Sequence, residues 1–266
     1  MVISSKNHLS TVLILIVFLT LFSCYEPIED CLDLRGSNYS LSADEPCDDC
    51  CTFPNINVTF TPLWGEEALL TDSMYTNEIG QTFAISGASF FVSNILLSNE
   101  SSRLVSQDSI ITDCSDNVIY NSLANVSLQS RIAASRNVPI TFGFDNIEFE
   151  VGVNACLSQA DTLLFDSDFQ SGSNFLNQKI ADQAYLSASF ELVQNQDTLT
   201  IDFINSEFNQ QFKLAGDFEI TQGSNLIIEI FVSYDELFSR VSFDDSIENI
   251  KSAINQNLMR AFTLME

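Results

Sequence analysis

The stretch Tyr75-Thr-Asn-Glu-Ile-Gly-Gln-Thr-Phe-Ala-Ile-Ser-Gly-Ala-Ser-Phe-Phe-Val-Ser-Asn-Ile-Leu-Leu97 predicts the strand around which the fold is organised. Residues 88–97 are rich in aromatic and β-branched side chains and are apolar on both alternating faces, which is typical of a strand buried on both sides. The pair Ser93-Asn94 interrupts the apolar run and predicts a bulge or a side-chain hydrogen bond to a neighbouring loop. Strict alternation gives two faces: Phe90, Val92 and Leu96 on one, and Phe91, Ile95 and Leu97 on the other.

Short alternating segments continue to the C-terminal end of the chain and predict an all-β fold, an antiparallel β-sandwich or barrel. Three hairpins are expected: residues 138–153 with a turn at Asp145-Asn146, residues 186–203 with a turn at 194–197, and residues 212–232 with a turn at 222–225. One helix is expected at the end, capped by Ser246, because apolar residues recur at helical spacing. These residues are Ile247, Ile250, Ile254, Leu258 and Phe262.

The first 23 residues predict an export signal, since the apolar run 9–22 is too short to span a membrane. It ends in Ser23-Cys24, which resembles the bacterial lipobox, in which the cysteine is acylated and the signal is removed. We therefore expect a lipoprotein held at the outer membrane by a lipid on Cys24, on the periplasmic or the surface side. The alternatives are an ordinary secretory signal and a single membrane anchor.

Residues 24–53 form a separate Cys-rich segment, and residues 54–266 are expected to form the β-sandwich domain. Six cysteines remain after Cys24, and an even number in an exported chain predicts disulfides. We expect Cys31 to pair within the range 47–51 and Cys114 to lie near Cys156. Zinc is the alternative for the run Cys47-Asp-Asp-Cys50-Cys51, but it would need a reducing compartment or further ligands. The six candidates are Cys31, Cys47, Cys50, Cys51, Cys114 and Cys156.

Calcium is the metal that the oxygen-bearing side chains favour, although no EF-hand spacing is present. Two groups are candidates, and the alternative for both is ordinary solvated turn residues. The first group lies in the Cys-rich segment, and the second in the stretch 161–172. They comprise Asp33, Asn38, Asp44, Asp48 and Asp49, then Asp166 and Asp168.

Charge and composition exclude several function classes. Thirty-six acids against ten bases give a net charge of −26, and no basic cluster is present to neutralise nucleic-acid phosphates. The single histidine, His8, lies in the export signal, so the mature chain cannot build a Ser-His-Asp or Cys-His site. No glycine-rich phosphate loop is present either. We expect a protein that is not an enzyme.

Several motifs resemble the MbnP-like domain, a family of periplasmic proteins encoded beside methanobactin copper systems. They are Val58-Thr-Phe60-Thr-Pro62, Gly65 to Leu69, Tyr75-Thr-Asn77, Gly80 to Phe83, Phe90 to Ile95, and Phe149-Glu-Val151-Gly152-Val153-Asn154, where Asn154 replaces the family's Asp. The resemblance covers residues 54–266. The segment before it is similar to short Cys-rich modules of Bacteroidetes surface proteins.

The resemblance implies copper binding through histidines and a tryptophan that a di-haem peroxidase-like partner oxidises to kynurenine. The matching region reads 177–185 here and keeps Tyr185 without the tryptophans, and Trp64, the only tryptophan, is not at that position. Imidazole and thiolate are the leading copper ligands, and this chain offers neither in the mature form. We therefore expect a binding protein of the cell envelope that has lost the high-affinity copper site. The alternatives are copper handling with the di-haem partner and surface recognition of glycans or proteins.

Overall fold

The computed structural model describes residues 26–105, 109–111, 118–120, 124–138, 143–153, 179–180, 184–221 and 223–264. Within them lie eighteen strands, a single 3₁₀ turn at Asn205–Glu207 and two α-helices, α1 (Tyr234–Leu237) and α2 (Ile247–Ala261). The strands are β1 (Glu29–Asp30), β2 (Glu45–Pro46), β3 (Asn55–Trp64), β4 (Glu67–Ala68), β5 (Met74–Thr76), β6 (Thr82–Ser98), β7 (Arg103–Val105), β8 (Ser109–Ile111), β9 (Val118–Tyr120), β10 (Ala124–Ser127), β11 (Ile132–Asn137), β12 (Gly143–Gly152), β13 (Lys179–Ile180), β14 (Ala184–Gln194), β15 (Asp197–Ile204), β16 (Asn209–Glu219), β17 (Leu226–Ser233) and β18 (Phe262–Leu264).

Two sheets enclose the core. The larger has nine strands with the main order β13-β14-β6-β12-β16, and β5, β7 and β10 pair with β6 while β15 pairs with β14. The smaller has the order β11-β3-β17-β18, and β4 pairs with β3. Because β6 is 17 residues long and pairs with five other strands, it is the element on which the larger sheet is built. An all-β, mainly antiparallel architecture is thereby confirmed.

Phenylalanine rings fill the space between the sheets. The ring of Phe60 on β3 makes edge contacts with Phe90, Phe149 and Phe262, at centroid distances of 6.0, 5.4 and 6.2 Å. All four side chains are at most 3% exposed. Each buried phenylalanine contributes about 1.5–3 kcal/mol relative to an exposed one, so this cluster is a main source of cohesion between the sheets.

The β6 strand is buried on both faces, as predicted, but a bulge changes which residues share a face. Glu148 of β12 lies opposite Leu96, whereas Glu150 lies opposite Ser93, so Phe149 faces two residues of β6. The extra residue is Asn94, at φ 54°. The assignment of Leu96 to the face of Phe90 and Val92 is therefore wrong. The main core takes Phe90, Val92, Ile95 and Leu97.

The prediction of a hairpin turn at Asp145-Asn146 is also wrong. Both residues lie inside the single strand β12, where the pairing with β16 shifts between Phe144 and Asn146. Polar residues therefore mark an irregularity within a strand rather than its end. The segment 139–142, in which the first arm of that hairpin was expected, lies outside the described residues.

The two strands of the third expected hairpin form, but they do not pair with each other. β16 pairs with β12 in the larger sheet, while β17 runs parallel to β3 and antiparallel to β18 in the smaller sheet. The connection at 220–225 thus crosses from one sheet to the other. The second hairpin, β14 to β15, is confirmed, and its turn residues Asn195 and Gln196 have φ values of 53° and 73°.

The C-terminal helix α2 is confirmed with Ser246 at its N-cap, where the Ser246 Oγ accepts a hydrogen bond from the Asn249 backbone. Ile250, Ile254 and Leu258 are buried, but Ile247 is 39% exposed and Phe262 begins β18 rather than continuing the helix. Asn257 ties the helix to the end of α1 and to the segment that follows it, since its Nδ2 donates to the carbonyls of Leu237 and Ser239 at 3.1 and 2.7 Å. None of the described helices is both long and apolar enough to cross a membrane.

Residues 26–53 form a small unit with a parallel pair of two-residue strands, β1 and β2. Two disulfides close it: Cys31 pairs with Cys51, inside the expected range, and Cys47 pairs with Cys50. Cys24, Cys114 and Cys156 lie outside the described residues.

Candidate functional site

The outer face of the larger sheet carries a polar cluster around Glu150, formed by β6, β12 and β16. Along β12 the side chains of Ile147, Phe149 and Val151 enter the core, so alternation places Glu148 and Glu150 on the opposite face. Across the ladders, Glu150 lies opposite Ser93 and Gln211.

Glu150 is almost fully buried, at 4% exposed. Its Oε2 accepts a hydrogen bond from Asn94 Nδ2 at 2.8 Å, and its Oε1 accepts one from Asn209 Nδ2 at 2.6 Å. Burying a carboxylate is costly unless hydrogen bonds compensate it. The bulge at Asn94 is what turns one of these donors toward Glu150.

Glu148, two residues earlier on the same face, forms ion pairs with basic side chains. Its Oε1 accepts hydrogen bonds from Lys213 Nζ and Ser98 Oγ, each at 3.0 Å, and its Oε2 lies 3.5 Å from Arg103 Nη2. Partial burial raises the pKa of Glu148, but the bonds from Lys213 and Ser98 and the charges of Lys213 and Arg103 outweigh it, so the net pKa is lowered. Glu148 therefore carries a negative charge that is held in place.

A groove of about 310 Å³ opens beside these carboxylates. Two polar atoms in this region are buried without a hydrogen-bond partner, the Oδ1 of Asn94 and the Oγ of Ser93, and the Ser93 residue is 0% exposed. Buried polar atoms are normally satisfied, so these two are unusual, and of the two residues only Asn94 lines the groove. The polar lining of the groove consists of Asn94, Arg103, Glu148, Glu150 and Gln211.

Sequence analysis identified Ser93-Asn94 as residues in need of partners but missed Glu150 as the partner. The available signal was the pair Glu148 and Glu150 at alternate positions of a strand whose other face is apolar. Linking the two segments requires the register between β6 and β12, which a bulge shifts by one residue.

The structure separates most of the calcium candidates. Asp33 binds Arg35, whose Nη2 lies 2.6 Å from its Oδ2, and Asn38 binds the backbone of Cys50 and Thr52. Asp44 accepts a hydrogen bond from the Ile28 backbone, while Asp48 and Asp49 are exposed. Within the described part of the chain, the only set of three or more Cys, His, Asp or Glu side chains close enough to share a metal is Cys47, Cys50 and Cys51. Asp166 and Asp168 lie outside the described residues.

Trp64 is part of the packing at the end of β3. Its indole stacks on the ring of Tyr75 at 4.5 Å and contacts the edge of Phe83 at 5.7 Å. The Tyr75 hydroxyl in turn accepts a hydrogen bond from the Leu70 backbone and donates to the Leu70 carbonyl. Tyr185 lies in β14, on a different strand from Trp64.

The Tyr75-Thr-Asn77 motif has a structural role. Asn77 is 6% exposed, its Nδ2 donates to the carbonyl of Val241 at 2.9 Å, and its Oδ1 accepts from the Gln81 backbone at 3.0 Å. Gln81 extends the link, since its Oε1 accepts from the Phe243 backbone. The motif therefore joins the turn before β6 to the segment between the two helices.

These features define a two-sheet β protein with a C-terminal helix, a disulfide-closed N-terminal segment and a polar groove on the outer face of the larger sheet. The family model for MbnP matches residues 54–257. The chain belongs to the MbnP family.

Comparison with solved structures finds MbnP from Methylosinus trichosporium. It is 10% identical to this chain, with a TM-score of 0.41 over 69% of this chain and 77% of that one. No curated protein sequence matches the chain.

Proposed function

We propose that this chain is a non-enzymatic binding protein of the cell envelope, anchored by a lipid on Cys24, that does not hold copper with high affinity. The observation that carries the proposal is its supply of metal ligands. The one histidine is His8, in the export signal, and the four described cysteines are all in disulfides. Copper sites in proteins use imidazole, thiolate and thioether groups, so few suitable donors remain.

The two described methionines do not replace the missing ligands. Met74 on β5 is 62% exposed and Met259 on α2 is 57% exposed, and each belongs to a different part of the fold. Carboxylates are plentiful but favour Ca²⁺ or Mg²⁺ over a selectively held copper ion. Metal analysis of the mature protein isolated from its native host tests this point, and we expect no copper at a fixed stoichiometry.

Anchoring rests on the Ser23-Cys24 end of the export signal and on the acids that follow it. Glu26, Glu29 and Asp30 resemble acidic export tags of surface lipoproteins, which favours the outer face. The Cys24→Ser variant should be released from membranes while the β domain stays folded. Unchanged membrane fractionation of this variant would contradict the proposal, and protease treatment of intact cells tests the face.

Recognition of a surface glycan is a second candidate function, and the groove beside Glu150 favours it. The polar side chains that line the groove, Asn94, Arg103, Glu148, Glu150 and Gln211, include both donors and acceptors. A hydroxyl group both donates and accepts, so a polyhydroxylated ligand can satisfy such a mixed lining. The volume of the groove, about 310 Å³, is at the small end of the range for ligand pockets.

A glycan panel tests this candidate. We expect at least one glycan to bind the chain and to lose binding in Glu150→Gln. Glu219→Gln is the matched control, because Glu219 is exposed at the end of β16 and does not line the groove. Equal binding by both variants, or no binding to the panel, would exclude glycan recognition at this groove.

Copper handling with a di-haem peroxidase-like partner is the alternative that the family resemblance implies. The feature that favours it is the stacked pair of Trp64 and Tyr75, since both rings are partly exposed and readily oxidised. Mass spectrometry of protein from its native host decides between the two accounts. Conversion of Trp64 to kynurenine would support the partner, and unmodified Trp64 supports the proposal made above.

A further inference from the structure

Three cysteine sulfurs meet at one corner of the N-terminal segment. The Sγ atoms of Cys47, Cys50 and Cys51 all lie within 4.8 Å of one another. Cys47 is bridged to Cys50, and Cys51 is bridged to Cys31. Two disulfides are therefore in near contact. Three of their four cysteines lie in the run Cys47-Asp-Asp-Cys50-Cys51.

The two bridges differ in their access to solvent. Cys31 is 0% exposed, and its sulfur lies so close to Gly36 that a Cβ at that position would come within 2.9 Å of it. Cys47, Cys50 and Cys51 are all partly exposed. Attack on Cys51 would expel Cys31 as a buried thiolate, whereas attack on either sulfur of Cys47–Cys50 expels a partly exposed one. Exchange is therefore favoured at Cys47–Cys50.

Backbone contacts hold this corner together independently of the Cys47–Cys50 bridge. Asn38 Nδ2 donates to the Cys50 carbonyl at 2.9 Å, and Asn38 Oδ1 accepts from the Thr52 backbone at 2.8 Å. On the other side, the Cys47 backbone donates to the Asp30 carbonyl at 3.1 Å. Opening the bridge would leave both of its ends in place.

We propose that Cys47–Cys50 is a thiol–disulfide exchange site for an exported dithiol, and that Cys31–Cys51 is the bridge that holds the segment. A thiolate of the reductant attacks one sulfur of the bridge, the Cys47–Cys50 bond breaks, and a mixed disulfide forms. The second thiol of the reductant then attacks the mixed disulfide and releases the remaining cysteine of this chain. The products are two protonated cysteine thiols on this chain and a disulfide on the reductant, so two electrons and two protons are transferred.

The buried position of Cys31 explains why exchange stops at the first bridge. A free Cys47 thiolate lies close enough to attack Cys51, but that step would expel Cys31 as a thiolate in a fully buried site. Burial disfavours the charged thiolate form, which makes Cys31 a poor leaving group. Attack by Cys50 is also disfavoured, because adjacent Cα atoms are about 3.8 Å apart, shorter than disulfides prefer.

Stepwise reduction tests the proposal. The Cys24→Ser form of the mature chain is treated with increasing dithiothreitol, trapped with iodoacetamide and analysed by peptide mass spectrometry. We expect Cys47 and Cys50 to be labelled at a reductant concentration at least roughly tenfold lower than Cys31 and Cys51, because attack there does not have to expel a buried thiolate. Simultaneous labelling of all four, or earlier labelling of Cys31, would overturn the assignment.

A pair of double variants and a trapping experiment complete the test. Replacing Cys47 and Cys50 by Ser should leave backbone hydrogen exchange in residues 26–53 unchanged, whereas replacing Cys31 and Cys51 should accelerate it. A Cys-x-x-Cys dithiol protein whose second cysteine is replaced by Ser should become covalently linked to Cys47 or Cys50. Linkage only at Cys31 or Cys51, or no linkage, would refute exchange at this site.

Discussion

Arg35 controls the charge of a neighbouring carboxylate in the N-terminal segment. Hydrogen bonds from the Arg35 side chain, followed by one from its backbone, lower the pKa of Asp33 from 3.8 to about 2. A lowered pKa favours the folded segment above pH 3.8, and this contribution disappears as the pH falls through about 2. Asp33 therefore forms an ion pair with Arg35, and this pairing competes with any role of Asp33 as a calcium ligand.

Replacing Arg35 by Ala should raise the pKa of Asp33 toward its usual value. The rise should be incomplete, because the backbone N–H of residue 35 still donates to Asp33 at 2.9 Å. A carboxyl-carbon NMR titration measures it, and Arg240→Ala serves as a control because Arg240 pairs with Glu78 elsewhere. An unchanged Asp33 pKa in the Arg35 variant would contradict the assignment.

Gly152, in the segment that resembles the family motif, is required by both its conformation and its surroundings. It has φ +92°, and a Cβ there would lie 1.5 Å from the Phe208 carbonyl oxygen. Gly65 also has a positive φ, +61°, but a Cβ there would meet nothing within 4 Å. Alanine variants at the two positions therefore distinguish the cost of backbone strain alone, at Gly65, from the cost of strain combined with a steric clash, at Gly152.

We expect Gly65→Ala to cost about 1 kcal/mol, the typical penalty of a left-handed conformation. Gly152→Ala should cost about 3 kcal/mol or more, because backbone atoms must also move. Urea unfolding of the two variants measures both losses. Equal losses would show that the contact between Gly152 and Phe208 does not constrain the fold.

Residue-level prediction succeeded where the signal was local. Burial of Phe90, Val92 and Ile95 followed from their apolar type, and the need of Ser93-Asn94 for unusual bonding followed from their polarity within that run. The identity of the partner did not follow, because Glu150 is 56 residues away from Asn94 and meets it only through the sheet.

At the scale of elements, the bulge in β6 decides which side chains reach the core. If Asn94 took a regular place in the ladder, the alternation would continue unbroken through it, and Ile95 and Leu97 would lie on the outer face, since the side-chain period of a strand is two. The sequence identifies the polar pair Ser93-Asn94. A bulge at this pair moves every later residue to the other face, whereas a regular strand with a side-chain hydrogen bond to a loop leaves the faces unchanged. This is why the two faces of β6 were assigned incorrectly.

Deleting Asn94 should therefore leave a regular strand in which Ile95 follows Ser93 directly. Ile95 and Leu97 then stay on the core face opposite β12, so this variant should still fold cooperatively. Asn94→Gly is the matched control. Glycine accepts φ 54°, so this variant should fold and lose only the bond to Glu150, about 1–3 kcal/mol. Circular dichroism with thermal unfolding measures both, and loss of cooperative folding in the deletion variant would contradict the assignment of Asn94 as the extra residue of the bulge.

Strand existence was easier to predict than strand pairing. The turn at Asn195-Gln196 joins two strands that pair directly, so a local hairpin signal was sufficient for β14 and β15. The connection between β16 and β17 has the same local appearance but leads to the other sheet, where β17 lies parallel to β3. The partner of β17 is about 170 residues earlier in the chain, and no local pattern specifies it.

For the whole molecule, the central claim is that the MbnP family fold is present without a high-affinity copper site. The family match supports the fold, and the proposal about copper rests on the ligands that the chain contains. Both described disulfides have to be intact in any test, because reduced cysteines would add thiolate ligands for copper.

A copper competition titration tests this claim most directly. The mature chain with Cys24→Ser, kept oxidised, is titrated with Cu(II) in the presence of a tightly binding chelator, and free and bound copper are measured by absorbance and metal analysis. The account predicts that the chelator keeps the copper and that only weak, non-stoichiometric binding to carboxylates appears in its absence. Retention of one equivalent of copper by the protein against the chelator would contradict it.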